Sequence, residues 1–258
     1  MKGENMSNIN KPERVTQDRV IQLFRDELGY RYLGDRRDFE NTNIWEEHLS
    51  AFLQKSGYSP AQISRAIELL HREADNSHRN LYENNKAVYS LLRYGVDVKV
   101  VASEVTEKVH LINWDEPQKN DFAVAEEVTL RGNHERRPDA VLYVNGIAIG
   151  VLELKRSTSD IGKGIRQNLS NQQPEFNQWF FSTVQFVLAG NDSEGLKYGT
   201  VGTPEKYFLN WKEDEEDNLG YKLDKYLRKL CQKERLLELV RDFVLFDGKK
   251  KLPRPHQY

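Results

Sequence analysis

Residues 136–155 read RRPDAVLYVNGIAIGVLELK, and this stretch decides the fold. Two apolar runs, Val141-Leu142-Tyr143-Val144 and Ile147 through Leu152, flank the pair Asn145-Gly146. Branched and aromatic residues on either side of Asn-Gly predict a β-hairpin. Strands this uniformly apolar are buried on both faces, which places them near the middle of a sheet. Charges stand only at the open end, where Asp139 begins the first strand and Glu153 and Lys155 close the second. Charges there are costly unless paired, metal-bound or at a rim. Glu153 and Lys155 share a face, roughly 6–7 Å apart along the strand.

The turn constrains what these groups can do. In a two-residue Asn145-Gly146 loop, Val144 pairs with Ile147. Strict pairing then sets Asp139 opposite Leu152, on the other face from Glu153. A three-residue loop of Val144, Asn145 and Gly146 pairs Tyr143 with Ile147 instead. Both carboxylates then share a face, on a diagonal of about 7–8 Å, with Gly146 as a left-handed bulge residue. The bulged turn is therefore expected.

Two carboxylates and an ammonium on one face suit phosphodiester hydrolysis. Mg²⁺ prefers oxygen ligands and keeps several waters. Asp139, Glu153 and the backbone carbonyl of Leu154 can supply oxygens, and Lys155 can orient a water and steady a phosphate. By itself, a Glu-x-Lys at a strand end also fits a solvated surface pair. The upstream Pro138-Asp139, the apolar strands and a helix expected over Ile161 to Asn171 favour a site.

Outward from the hairpin, the chain up to about Tyr94 reads helical. Thr16 can cap a helix striped by Val20, Ile21, Phe24 and Leu28 and ended by Gly29. Ile44 to Gln54 repeats the period, Ser59-Pro60 opens a third helix, and Leu81 to Tyr94 forms a fourth. After Gly95 the period approaches 2. Strands are expected over Val96 to Val100, His110 to Trp114, Asp121 to Leu130 and Val184 to Ala189, with shorter ones at Gly195 to Thr200 and Tyr207 to Trp211. Acidic Glu213 to Asp217 makes a turn or linker before helices at Leu219 to Cys231 and Lys233 to Phe243. The division is an N-terminal helical part (1–94), a core (95–212) and C-terminal helices with a linker (213–258). This order gives α/β, or α+β, with a mixed central sheet flanked by helices.

Composition excludes several classes. The 258 residues are 38% hydrophobic and 30% charged, with no run near the roughly 18 apolar residues of a membrane span. Met1 to Lys11 is polar and reads as a frayed tail, not a secretory signal. The single Cys231 permits no internal disulfide and fits a buried thiol in a reducing cytoplasm. A net charge of −2 leaves nucleic-acid contact to local patches. The six histidines form no zinc motif, and no GxxxxGK[ST] phosphate loop is present.

Several stretches are similar to the N-terminal nuclease region of the motor (R) subunit of type I restriction enzymes, in the PD-(D/E)xK superfamily. They are Arg136 to Gly146, Gly150 to Lys155, Asp121 to Glu126, Ala189 to Asp192, Tyr198 to Thr200, Gln17 to Val20 and Glu27 to Tyr30. The resemblance covers nearly the whole chain. It implies a restriction-endonuclease-like fold, with Asp139, Glu153 and Lys155 catalytic and with Mg²⁺-dependent double-strand cleavage of DNA. It also implies methyltransferase and specificity subunits as partners, and ATP used only by a motor domain that this chain lacks. Lys249 to Tyr258 resembles the family's entry into that motor, so a fragment is expected. Gln167 matches the Gln of a QxxxY motif and becomes a supporting candidate, but Asn171 stands where the Tyr would be.

Arg131, His134, Arg136 and Arg137 could grip phosphates, and Arg137 is favoured because it nearly adjoins Asp139. Glu104, Glu126 or Glu127 could add a carboxylate. Gly162-Lys163-Gly164 fits either a phosphate-binding helix start or a plain capping turn. Lys249 to Lys251 reads as a solvated linker. Two alternatives to the restriction nuclease remain: a non-catalytic DNA-binding or assembly module that keeps the fold, and a repair or junction nuclease with the same chemistry.

Overall fold

The computed structural model describes residues 13–99, 105–211 and 220–254. The expected tail, Val100, Glu104, the acidic run 213–217, and His256 and Gln257 lie outside these residues. In chain order the elements begin with α1 (Glu13–Gln22), which runs into a π-helical turn, and β1 (Arg31–Asp35). Next come α2 (Glu46–Lys55), α3 (Pro60–Ala74), α4 (Leu81–Tyr94), β2 (Val96–Val98) and β3 (Glu107–Val109). The core follows as β4 (Phe122–Glu126), β5 (Ala140–Val144), β6 (Ile147–Leu154), α5 (Gly162–Asn171), β7 (Phe186–Asn191), β8 (Gly195–Gly199) and β9 (Leu209–Asn210). The chain closes with α6 (Lys222–Leu230), α7 (Lys233–Phe243), β10 (Leu245–Phe246) and β11 (Lys250–Lys251).

Seven strands form one mixed sheet in the order β1-β4-β5-β6-β7-β8-β9. The β1/β4 and β6/β7 pairs are parallel, and the other pairs are antiparallel. The quoted hairpin is central, and every residue of β5 and β6 is buried, as its composition demands. One face packs Leu142, Leu152 and Leu188 against apolar stripes of α1, α2, α3, α4, α6 and α7. The other packs Val141, Val151 and Val187 against Ile165 of α5 and Phe180-Phe181. The expected mixed α/β architecture is what the chain adopts.

Local chemistry explains the boundaries that match. Ser59 and Gln62 form a reciprocal capping box with Pro60 at the first helical position, and Asn80 with Glu83 does the same for α4. Other expectations change. Thr16 lies buried inside α1, which starts at Glu13, so it caps nothing. Within the supposedly helical first part, Arg31–Asp35 joins the sheet as an edge strand beside β4. The stretch His110 to Trp114 is not a strand; β2 pairs with β3 in a separate two-stranded sheet.

The turn corrects the expected geometry in an instructive way. Val144 pairs with Ile147 and Tyr143 with Ala148, so the loop is the tight two-residue one and not the three-residue form. Asn145 and Gly146 have φ of 51° and 81°, the signature of a type I′ turn. The extra residue sits further along β6. Leu142 pairs with Gly150, leaving Ile149 unmatched as a bulge. Ile147 and Ile149 face one core and Leu152 and Leu154 face the same core, although the spacing between the pairs is odd. The bulge thus restores the parity that the tight turn would have lost, and Asp139 and Glu153 emerge on one face.

Asn145 is wholly buried, with its amide accounted for: Oδ1 accepts from Asp121 N at 2.7 Å, and Nδ2 donates to Leu111 O at 2.9 Å. A Cβ at Gly146 would stand 2.6 Å from the Trp45 carbonyl oxygen, in addition to its positive φ. Gly146→Ala is therefore expected to lower unfolding free energy by about 2 kcal/mol or more. Gly202, at φ 74° with nothing within 4 Å, is the control; its Ala variant carries backbone strain alone, about 1 kcal/mol. Urea titration of both variants checks this, and equal losses would mean that the Trp45 contact relaxes freely.

Candidate active site at the open end of the central hairpin

The site forms where β5 begins and β6 ends. Glu153, with Leu154 paired to Gly190, is part of β6 where it runs alongside β7. Continuing the register past Ala140 and Leu152 sets Asp139 opposite Glu153. Asp139 Oδ2 accepts from the Leu154 backbone N at 2.6 Å, which fixes the carboxylate against the neighbouring strand. Lys155 is held in the same ladder, donating its backbone N to Gly190 O at 2.9 Å.

The side chains converge. Lys155 Nζ lies 4.0 Å from Asp139 Oδ2 and 3.8 Å from Glu153 Oε2. It donates to Leu154 O at 2.7 Å and to Glu13 Oε1 at 3.1 Å. The ammonium thus stands among the oxygens expected to serve as ligands. Glu153 is fully buried, and no hydrogen-bond donor among the described residues reaches either of its oxygens. Helix α5 crosses above this face; a Cβ at Gly164 would lie 3.4 Å from Glu153 Cβ and 3.5 Å from Lys155 Cγ.

Electrostatics follow from burial. Burial, then the Asp139 charge, pushes the Glu153 carboxyl well above the usual carboxylate range, with Lys155 opposing. Burial raises Asp139 to about 6 against the Leu154 N–H and the Lys155 charge. Burial works against the Lys155 ammonium, but Asp139, Glu153 and Glu13 outweigh it and raise its pKa. Two crowded carboxyls that resist ionising next to one cation are short of positive charge.

Residues 10–207, most of the chain, match the family described as the type I restriction enzyme R protein N terminus. The chain belongs to this family. It is similar to the HindI type I restriction enzyme endonuclease subunit of Haemophilus influenzae, 27% identical over 98% of this chain and 26% of that protein. A putative MjaIXP endonuclease subunit of Methanocaldococcus jannaschii is 25% identical over 95% of this chain and 26% of its own length. A putative MjaVIIIP subunit of the same organism is 30% identical over 60% of this chain. The chain spans about a quarter of the length of the first two relatives.

The other candidates of this R-protein N terminus divide. Gln167 is half-buried on α5, one turn beyond Gly164, and its side chain makes no hydrogen bond to the described residues. Asn171, at the family's Tyr position, is fully buried, and neither of its side-chain polar atoms has a hydrogen-bond partner among the described residues. Arg137 does not reach the three residues; its Nε pairs with Glu127 at 2.7 Å. Glu127 also draws in Arg14 at 3.5 Å and Arg37 at 4.0 Å. Glu126 pairs with Arg14 at 3.1 Å and accepts from the Tyr32 hydroxyl. Arg136 stacks over Phe176, with its guanidinium carbon 4.1 Å from the ring centre. At the glycine-rich start of α5, Gly162 N donates to Asp160 Oδ1 at 2.8 Å, so one of the N–H groups that could face a phosphate is already taken.

Sequence reasoning missed Glu13 and Gln17. Gln17 Nε2 donates to Asp139 O at 3.1 Å and approaches Glu126 Oε2 at 3.5 Å. The apolar stripe and the similar stretch Gln17 to Val20 mark this helix, but nothing local links it to a strand over a hundred residues away. A cleft of about 960 Å³ opens elsewhere, among Tyr58, Arg93, Trp114 and Arg241, and shares no residue with the site. Burial, convergence and charge single out the Asp139, Glu153 and Lys155 cluster as the candidate, and cleft size does not.

Proposed function

We propose that this chain carries the DNA-cleaving centre of a type I restriction enzyme R subunit, a divalent-metal-dependent endonuclease acting on double-stranded DNA. The observation that carries this is Glu153: a fully buried carboxylate whose oxygens accept no hydrogen bond from the described residues, beside Asp139, the Leu154 carbonyl and Lys155. A buried anion left so incomplete calls for a cation.

The residues present fit Mg²⁺. Asp139, Glu153 and Leu154 O offer only hard oxygens. Two carboxylates and one carbonyl would leave the remaining positions to water, as Mg²⁺ prefers. When bound, the ion would supply Lewis acidity and a water more readily deprotonated. The chain's own residues do the rest. The Leu154 N–H holds the Asp139 carboxylate in place. Lys155 keeps an ammonium at the mouth of the site, where it can neutralise a phosphate oxygen and orient the attacking water. The apolar strands beneath exclude other solvent. The paired Arg137, Arg14 and Arg37 are nearby cations that can turn to the DNA backbone.

Partners follow from the same reading: a methyltransferase subunit, a specificity subunit and an ATP-driven motor domain of the longer protein. No helix among the described residues is long and apolar enough to cross a membrane. In the R subunit with its motor, Asp139→Ala or Lys155→Ala is expected to abolish plasmid cleavage while ATP hydrolysis persists. Parallel assays of nicking, linearisation and ATP turnover in the assembled enzyme check this. Equal loss of both activities would favour a folding or assembly role for these residues.

A further inference from the structure

The Lys155 ammonium poses a problem for the proposed function, on which this inference rests. It donates at 2.7 Å to the Leu154 carbonyl, one of the oxygens assigned to the cation. While that bond stands, the carbonyl already faces one positive charge. An ammonium has three donors and needs acceptors for them. Its other close acceptor is Glu13 Oε1 at 3.1 Å, which comes from outside the hairpin and outside the expected ligand set.

Glu13 is not there by accident of a loose helix. It begins α1, and Gln17, one turn on, donates to the Asp139 carbonyl. Two residues further, Arg19 forms ion pairs with both Asp192 and Asp224, and its guanidinium carbon lies 3.8 Å above the Tyr221 ring. Thr16 Oγ1 reaches Asp192 Oδ2 at 3.5 Å. These contacts join two stretches singled out in the sequence, Gln17 to Val20 and Ala189 to Asp192, that the three catalytic residues leave unexplained. Together they clamp α1 between β5 and the segment after β7, and so carry the Glu13 carboxylate to the mouth of the site.

We propose that Glu13 is a positioning residue for Lys155: it holds the ammonium at the site when the Leu154 carbonyl is needed by a divalent cation. A helix-borne carboxylate keeps Lys155 paired and in place without itself serving the cation. Lacking it, the ammonium stays on the carbonyl and competes with the cation.

The test is a double-mutant cycle on the 258-residue chain, with Mn²⁺ as probe and binding followed by the paramagnetic resonance of the free ion. Loss of one charge-assisted hydrogen bond predicts that Glu13→Gln weakens Mn²⁺ binding on the order of ten-fold. In a Lys155→Ala background the competitor is gone, so the same change should matter by less than roughly two-fold. Glu13→Asp should restore part of the affinity, and thermal midpoints should stay close to the parent's. An effect that persists or grows without Lys155 would make Glu13 face the cation itself and overturn the proposal. So would an unchanged affinity in Glu13→Gln. A parent chain that binds no Mn²⁺, or binds it equally well as Glu153→Gln, would instead remove the metal site, and this inference with it.

Discussion

Glu153→Gln is expected to abolish DNA cleavage, on the order of a thousand-fold or more, while making the metal-free protein more stable at neutral pH. The two effects have opposite signs because one carboxylate serves function against stability. Glu153 is completely buried, neither oxygen accepts a hydrogen bond from the described residues, and Lys155 Nζ stands 3.8 Å away. Burial and the Asp139 charge raise its pKa well above 4.5. A carboxyl whose folded pKa is raised is held protonated by the fold after the unfolded chain has released its proton. Its favourable contribution is therefore full below the unfolded pKa and is lost as pH rises through the folded one. Asp139, raised to about 6, adds a second loss ending near pH 6. At neutral pH both losses weigh on the wild type, and Gln, which cannot ionise, removes the Glu153 share. A gain in thermal midpoint that is small at pH 5 and larger at pH 8 is expected. Added Mg²⁺ should stabilise the wild type by binding the folded state and leave the variant unmoved. A variant less stable than the wild type at pH 8 without metal would mean that the buried carboxylate is already satisfied.

Both the legible and the illegible parts of this protein have physical reasons. The central hairpin was legible because strands buried on both faces must be apolar and a type I′ turn must favour Asn-Gly; both signals are local. Helix α3 was legible through Ser59-Pro60 at its start, and α4 through the Gly95 that stops it. The bulge at Ile149 was not, since Ile149 carries no mark that separates it from Ile147. What could be inferred was its consequence: the parity of Asp139 and Glu153 had to be restored somewhere, and the error lay in placing the extra residue in the loop. Edge strand β1 was missed because its Arg31-Tyr32-Leu33-Gly34-Asp35 pattern is half exposed and owes its conformation to pairing with β4. The trio Asp139, Glu153 and Lys155 was readable from adjacency in one hairpin. Glu13 and Gln17 reach the same place through tertiary packing of α1, whereas Arg137, Arg14 and Arg37 are gathered on Glu127 by ion pairs that only folding creates.

The Lys249 to Lys251 run suits a solvated linker by composition, but Lys250 is buried, and its setting leads to the second large effect. It is 5% exposed, on β11, at the opposite end of β7 from the candidate site. Its Nζ donates to Gln185 Oε1 at 2.6 Å, Asn85 Oδ1 at 2.8 Å and Val184 O at 3.2 Å. Three acceptors match three ammonium donors, yet none of the three is a carboxylate. Asn85 is itself spent on the carbonyls of Phe181, Ser182 and Val184, so the lysine completes a network that ties β11 to the sheet. Lys250→Ala removes the buried stem and leaves two side-chain carbonyls without a donor, and should cost about 3 kcal/mol or more. Lys250→Met keeps the stem and relieves a buried charge, which offsets much of the loss of the acceptors' partner, so its cost near pH 7 should be about 1 kcal/mol. The pH dependence separates these terms. Burial pulls the Lys250 pKa well below 10.5. Between that lowered value and 10.5 the unfolded chain binds more protons than the folded one, so wild-type stability rises with pH. Met does not titrate, and the gap between wild type and Lys250→Met should widen as pH is raised from 7 to 10. Urea unfolding at several pH values measures that gap. A gap that stays constant would show that the three carbonyl oxygens hold the ammonium charged despite its burial.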